Sequence, residues 1–168
     1  MADCEGIQQT FEFLFFESIK YYANQTKHFS DGHTTALQLI ENMGFDVGQR
    51  YIEKLTKNSP RFLSELEIVK FICKGFWSSL FRKDISSLKT NNTDVYVLTD
   101  SAFPFLCRIE PSQQYNPIVE MILAFPCGLL RGALSSLGLC CIVNADVINL
   151  PSCQFTVRVL PRSKSSGM

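Results

Sequence analysis

The sequence predicts an α+β domain in which an antiparallel four-stranded sheet carries a layer of four main helices on one side. Three observations predict this class. Helical periodicity runs through residues 7–28, 34–57 and 60–83. Strand-like alternation follows at 95–109 and 140–160, and one more helical segment, 118–137, separates the two stretches. No linker or repeat divides the chain, so we expect one domain over residues 1–160 and a disordered polar tail over 161–168.

The first helix, Ile7 to His28, is apolar around most of its circumference. Phe13 and Phe16 lie outside the broad apolar face, which contains Phe11, Leu14, Phe15, Ile19, Tyr21 and Tyr22. A helix that serves one core needs a single apolar stripe. This pattern therefore indicates burial on a second side, against either the core of the protein or a partner.

Two pairs of glycines, each spaced by four residues, interrupt helical patterns. Gly44 and Gly48 lie on the second helix, which begins at Thr34 or Thr35 and runs to about Lys57. They sit in the middle of an apolar face formed by Leu37, Ile40, Met43, Val47, Tyr51 and Leu55. An interior glycine costs a helix about 1 kcal/mol relative to alanine, so the pair indicates close approach of another backbone. Packing within the chain and an interface between subunits are both open interpretations.

The second pair, Gly128 and Gly132, flanks Arg131 on the mostly apolar helix Ile118 to Leu137. An arginine in such surroundings needs carbonyls or a carboxylate for its donors. We interpret these three residues as a structural clamp, and an arginine that reaches a partner is the alternative. Pro126 in the same helix removes one helical hydrogen bond and is expected to kink it.

The third helix is predicted to begin with Ser59 as N-cap and Pro60 at its first position. It ends near Arg82 or Lys83, and its core face is Phe62, Leu66, Val69, Cys73, Phe76, Trp77 and Leu80. Residues 85–92 are polar. Two hairpins are predicted, one from Val95–Thr99 and Phe103–Ile109, the other from Cys140–Ile148 and Cys153–Leu160.

The composition argues against several classes of function. Sixteen basic residues balance sixteen acidic ones without a basic stripe, which argues against nucleic-acid binding. The seven cysteines form no CxxC pair, and their odd number without a signal-peptide pattern favours reduced thiols in the cytosol. The longest apolar stretch, Met121 to Leu130, is too short to span a bilayer, so a buried helix is expected.

No constellation of residues predicts catalysis. His28 and His33 are the two histidines, and both lie near the polar break between the first two helices, remote from any paired nucleophile. The segment Gly44 to Gly48 lacks the Lys and Ser/Thr of a phosphate-binding loop. We therefore expect no catalytic residue, no metal and no cofactor.

Several ordered blocks resemble the small subunits of the TRAPP vesicle-tethering complex, most closely the subunit 6 branch. The similarity runs from about Phe11 to Leu160. Its strongest parts are ENMGFDVGQRYIEKLT (Glu41 to Thr56), RFLSELEIVKFICKGFW (Arg61 to Trp77), YVL (Tyr96 to Leu98), CGLLRGALSSLG (Cys127 to Gly138) and CQFTVRV (Cys153 to Val159).

The resemblance implies a non-enzymatic subunit that pairs with a subunit 3-type partner through its first two helices. The interface would then consist of Phe11, Leu14, Phe15, Ile19, Tyr22, Leu37, Ile40, Met43, Gly44, Val47, Gly48 and Tyr51. The assembly would promote nucleotide exchange on a Rab-family GTPase and tether vesicles in ER-to-Golgi and Golgi transport. Its implied location is cytoplasmic, peripheral at the cis-Golgi and the endoplasmic reticulum. Exposed aromatic surface predicts that the isolated chain self-associates, for example as a homodimer.

The chain departs from its subunit 3 relatives at one point. Those relatives carry an acylated cysteine near the start of the third helix, with the acyl chain in an internal tunnel. Here the corresponding stretch, Lys57 to Arg61, contains no cysteine. An apolar-ligand (lipid) binding module of the same fold is the main alternative function, and a thiol-dependent enzyme, which would need a cysteine of depressed pKa, is the third.

Overall fold

The structure, a computed structural model, describes residues 2–28, 30–110, 112 and 116–161, with side chains in the first helix from residue 9 onward. The helices are α1 (Ala2–Thr26), α2 (Gly32–Thr56), α3 (Glu65–Phe71), α4 (Trp77–Phe81) and α5 (Pro117–Ser136). A π-helical turn, Ile72–Phe76, joins α3 to α4 in one continuous helical stretch, and a 3₁₀ turn spans Pro104–Leu106. The strands are β1 (Ser87–Thr90), β2 (Val95–Asp100), β3 (Cys141–Asn149) and β4 (Ser152–Val159).

The sheet has four antiparallel strands in the order β1-β2-β4-β3. One of its faces is buried under the helices, and along the two central strands its inward residues are Tyr96, Leu98, Asp100, Cys153, Phe155, Val157 and Val159. The residues between them are less buried, as the period of two in a strand requires. The predicted α+β class, with helices layered on one side of an antiparallel sheet, is confirmed.

Helix α5 is the central element of the helical layer. It packs against β3 on one side and against α2 on the other. Asn116 caps its first turn by accepting a hydrogen bond from the Ile118 N–H, and Pro117 occupies the first turn, where a missing N–H costs nothing. Within the described part of the chain, α5 alone is long and apolar enough to cross a membrane, and 78% of its most apolar window is buried inside the fold. This combination of length, apolar composition and burial is also typical of a helix in a protein core.

The third helical stretch begins later than the sequence predicted. Its N-cap is Ser64, whose side chain accepts from the Glu67 N–H, while the Glu67 carboxylate accepts from the Leu63 N–H at 2.8 Å. This reciprocal pair resembles a capping box and satisfies donors that a helix start leaves open. The prediction of Ser59 as N-cap and Pro60 as first helical residue was therefore wrong, and residues 60–64 form a non-helical connection.

One of the two strands predicted for the first hairpin, Phe103–Ile109, is also absent. β2 pairs with β1, with Leu88 opposite Leu98, and the segment 103–109 contains the 3₁₀ turn instead of a strand. Phe103, Phe105 and Leu106 are all buried. Burial of two adjacent side chains in a segment that fills the core does not fit a half-exposed strand, because neighbouring strand residues point to opposite faces.

The remaining elements follow the sequence closely. The predicted hairpin from 140 to 160 is present as β3 and β4, with a cis Leu150-Pro151 bond in its turn. α5 continues through the buried Pro126. The helix ends before Gly138, which has φ of 86° and so adopts a conformation that favours glycine. The tail predicted to be disordered lies, from residue 162 on, outside the described residues.

Candidate protein-interaction surface

Helix α1 presents large apolar side chains to solvent along much of its length. Leu14 and Tyr21 are more than half exposed, at 59% and 58%, and Phe11 is 49% exposed on the adjoining part of the helix. At 100° per residue these three share one side, and Phe13, 66% exposed, projects from another. Isolated apolar residues on a surface need no explanation, but a row of them along one helix marks an interaction site.

The side of α1 adjoining Phe11 is anchored in the core by aromatic rings, and Phe11 itself lies 6.1 Å from Phe105 by ring centroid. Phe15 is buried, with its ring centroid 4.4 Å from that of Phe105 and 5.1 Å from that of Phe125. Ile19, one turn later, is fully buried. Arg108 also contacts the largely buried Glu12 at 2.9 Å, which joins α1 to the chain after the 3₁₀ turn. α1 is therefore held on one side and apolar on another.

The two glycine pairs face each other within the chain. A Cβ on Gly44 would lie 2.2 Å from the Phe125 carbonyl oxygen, and one on Gly128 would lie 1.9 Å from the Glu41 carbonyl oxygen. The other members, Gly48 and Gly132, meet the backbones of Leu129 and Phe45 in the same way. Of the two interpretations left open by the sequence, the structure shows packing within the chain at these positions, because two helices cross where neither has a side chain.

This packing changes the expected partner interface. Five of its twelve residues are buried within the fold and offer no surface to a partner: Phe15, Ile19, Ile40, Gly44 and Gly48. Four others are half-buried against the core, namely Tyr22, Leu37, Met43 and Tyr51. Phe11, Leu14 and Val47 are exposed. The buried five are removed from the interface, since their positions are filled by contacts with α5 and the aromatic core.

Arg131 spans the gap between α5 and α2. Its Nε donates to the Glu41 Oε1 at 2.8 Å, and its guanidinium lies 4.5 Å from the centroid of the Phe45 ring. Gly128 lies three residues before it and Gly132 directly after it, and both allow the helices to approach closely enough for these contacts. The side chain of Arg131 thus makes internal contacts beside the glycine crossing.

A buried carboxylate that no motif of the sequence singled out lies at the end of β2. Asp100 is fully buried and accepts from Trp77 Nε1 at 3.0 Å, from the Ala102 N–H at 3.0 Å and from Lys83 Nζ. Two signals could have found it. Asp100 continues the inward alternation of Tyr96 and Leu98, and a core tryptophan requires a hydrogen-bond acceptor.

Four described thiols are poor nucleophiles because burial disfavours their charged form. Burial raises the pKa of Cys73 and of Cys127 to about 12 and that of Cys141 to about 11, and it raises the pKa of Cys153 further. Cys107 and Cys140 are exposed. Among the described residues, no three His, Cys, Asp or Glu side chains come together as a metal site.

Comparisons with known proteins agree with the resemblance drawn from the sequence. The family model described as transport protein particle (TRAPP) component matches residues 11–160. Trafficking protein particle complex subunit 6b of Danio rerio is 44% identical over 159 residues, which are 95% of this chain and 98% of the relative. Subunit 6B of Homo sapiens is 48% identical over 120 residues, 71% of this chain and 76% of the relative.

A second human relative and one crystal structure complete the comparison. Subunit 6A of Homo sapiens is 42% identical over 154 residues, 91% of this chain and 96% of the relative. The crystal structure of subunit 3 from Naegleria fowleri, covalently bound to palmitic acid, has a TM-score of 0.67 at 16% identity and covers 92% of this chain and 97% of its own. That similarity shows the shared fold. The chain belongs to the TRAPP component family of trafficking-complex subunits, in its subunit 6 branch.

Proposed function

We propose that the protein is a non-enzymatic structural subunit of a TRAPP complex and that it pairs with a subunit 3-type partner through α1 and α2. The observation that carries this proposal is the two-sided character of α1. Phe15 anchors one side of the helix in the core, while Leu14 and Tyr21 remain exposed on another. Val47 extends the exposed apolar surface on α2, which packs against α1. Burial of such side chains by a partner is favourable at about 25 cal/mol per Å².

In this proposal the chain contributes to trafficking by holding an assembly together. The complex, rather than this subunit, promotes nucleotide exchange on a Rab-family GTPase and tethers vesicles in ER-to-Golgi and Golgi transport. The subunit is then cytoplasmic and reaches cis-Golgi and endoplasmic reticulum membranes peripherally, through the complex. The raised pKa of the buried thiols supports a role without thiol catalysis.

The alternative of an apolar-ligand module receives less support. The stretch Lys57 to Arg61 contains no cysteine, and Cys73, on the π-helical turn, is buried with a raised pKa of about 12. A thiol that is both covered and protonated is unsuited to forming an acyl thioester. An apolar cleft between residues 59–63 and Phe71 opens at the surface, but its described lining contains no cysteine.

The pairing is tested by light scattering of the purified chain, alone and mixed with TRAPP subunit 3 of the same organism. We expect a stable one-to-one complex that replaces any homodimer. Leu14→Arg should abolish that complex, because a charge cannot be buried without a partner. The folded state should be unaffected, since Leu14 is exposed.

Phe13→Arg is the matched control, because Phe13 is equally exposed on the same helix but projects from another side. It should leave the complex intact. A wild-type chain that stays monomeric beside subunit 3, or a Leu14→Arg chain that still pairs, would contradict the proposal.

A further inference from the structure

The two edges of the sheet differ in how they are protected. β1 is four residues long and carries Lys89, features with which proteins discourage pairing at an edge. β3 is nine residues long, and its one charged residue is Asp146; it contains no lysine, arginine or proline. Among the described residues, no segment pairs with its outer side. An edge of this kind is a template for an added strand.

The hydrogen bonds beyond the strand ends define which β3 residues face outward. The Leu160 N–H donates to the Cys140 carbonyl at 2.8 Å, towards β3, whereas the Val159 N–H donates to the Asp94 carbonyl at 2.8 Å, towards β2. In an antiparallel ladder, hydrogen-bonded pairs alternate with pairs that are not hydrogen-bonded. The hydrogen bonds between β3 and β4 are therefore made by every second residue pair, counted from the pair Cys140 and Leu160.

The β3–β4 register shows which β3 residues make these hydrogen bonds. Ile142 pairs with Arg158 through hydrogen bonds, and Asn144 does so with Thr156. Val143, which lies between these two pairs, and the next residue in its phase, Ala145, direct their N–H and C=O groups away from β4. Among the described residues, no backbone group bonds to them on that side.

A groove of about 440 Å³ runs beside this edge, between β3 and the helices. Its β3 wall consists of residues 143–147, and its helical wall includes the apolar side chains of Val119 and Leu123. Glu41 and Glu120 add two carboxylates to the helical wall. Glu41 is bonded to Arg131, whereas Glu120 is exposed and lies 2.8 Å from His33 Nε2, so Glu120 is the carboxylate that a basic side chain can reach. The described lining contains no lysine, arginine or histidine. On the other face of the sheet Asp146 adds a third carboxylate beside the edge.

We propose that the outer edge of β3 binds an extended, basic segment of a partner protein by strand addition. Backbone hydrogen bonds to Val143 and Ala145 would align the segment, as in other complexes formed by strand addition. Its apolar side chains would face Val119 and Leu123, and its lysine or arginine side chains would pair with Glu120 on one face and Asp146 on the other. The groove includes Leu37 of α2 but none of the exposed residues of α1, so we propose the edge of β3 as a second contact surface beside the one proposed above.

The test uses the full chain and a synthetic peptide, acetylated, amidated and fluorescently labelled, that carries valines and one lysine at the positions facing the groove and lysines at the alternate positions, which face the other side of the sheet. Anisotropy should report binding, and hydrogen exchange should show new protection of the amides of Val143 and Ala145. The same peptide with glutamate in place of lysine should not bind, because it meets carboxylates on both faces.

Ala145→Pro removes an outward N–H while leaving the bonds to β4, a change that edge strands tolerate. It should weaken binding by about tenfold or more, which is the effect of losing about 1.4 kcal/mol. Glu120→Gln should weaken it by about threefold, and the matched control Glu53→Gln, exposed on α2 outside the groove, should change it by less than about twofold. Leu14→Arg should bind as wild type does.

Three results would overturn the proposal: no binding by the wild-type chain at about 1 mM peptide, a range in which even weak complexes form; equal binding of the glutamate peptide; or exchange protection confined to residues outside β3. If Ala145→Pro proves unfolded by circular dichroism, the wild-type exchange pattern and Glu120→Gln decide the outcome.

Discussion

Asp100 shows how one buried residue joins three parts of the chain. Its carboxylate accepts from Trp77 at the start of α4, from Lys83 just after that helix, and from the Ala102 N–H that follows β2. Lys83 also donates to the Ala102 carbonyl at 2.9 Å. A buried charge is tolerated when it is paired and fully hydrogen-bonded. This network fixes the helical stretch against the end of the sheet.

Asp100→Asn should destabilise the protein by about 2–4 kcal/mol, because the amide keeps the shape but loses the charge and turns donors towards Lys83 or the Ala102 N–H. Urea unfolding monitored by tryptophan fluorescence measures the change. Asp46→Asn, exposed on α2, is the control and should stay within about 0.5 kcal/mol of wild type. A loss of under 1 kcal/mol at Asp100 would contradict the network's importance.

The buried thiols predict a pH dependence of stability. The pKa of Cys127 is raised from 9.0 to about 12 in the folded state, first by burial and then by Glu41 and Asp146. Between pH 9 and about pH 12 the thiol loses its proton only in the unfolded state. The free energy of unfolding therefore falls as pH rises above about 9. Below that pH the thiol is protonated in both states and contributes no pH dependence.

Cys127→Ala removes this contribution, so its stability relative to wild type should improve by roughly 1 kcal/mol between pH 8 and pH 10. Urea unfolding at both pH values measures the difference. Cys140→Ala, at an exposed cysteine, is expected to show no such change. An unchanged difference for Cys127→Ala would mean that its thiol titrates alike in both states.

At the scale of elements, the crossing of α2 and α5 organises the helical layer. Gly44 and Gly48 on one helix meet the backbone of α5, and Gly128 and Gly132 meet the backbone of α2. Small residues in a ridge of period four allow two helices to pack at short distance. Arg131 adds a lateral bond to Glu41 at the same crossing.

Gly128→Ala should destabilise the protein by at least about 2 kcal/mol, although alanine favours a helix. Its Cβ would meet the Glu41 carbonyl oxygen at 1.9 Å, and a backbone atom cannot move aside without separating the helices. Thermal and urea unfolding measure the loss. Gly75→Ala is the matched control: its Cβ meets the ring edge of Phe71 at 2.7 Å, and this half-buried side chain can rotate away. Equal losses in both variants would contradict the argument.

At the scale of the whole molecule, aromatic rings connect α1 to the sheet. Phe15 contacts Phe105, Phe105 lies 5.7 Å from Phe81, and Trp77 lies 4.5 Å from Phe81 and 5.3 Å from Phe155. The protein presents two candidate contact surfaces. One is the exposed apolar side of α1, and the other is the free edge of β3. A subunit that presents two such surfaces is suited to a position between partners.

The sequence by itself determined which segments are helical, because the period of apolar residues and the glycine pairs are local signals. It also determined the family, through blocks from Glu41 to Val159, and it indicated that α1 is apolar on more than one side. The tertiary structure alone decided that Gly44 faces α5, that β1 is the partner of β2, and that Asp100 is an internal acceptor. Strand pairing and helix crossing depend on contacts between residues far apart in the chain, and no periodicity within one segment encodes which distant segment will cover it.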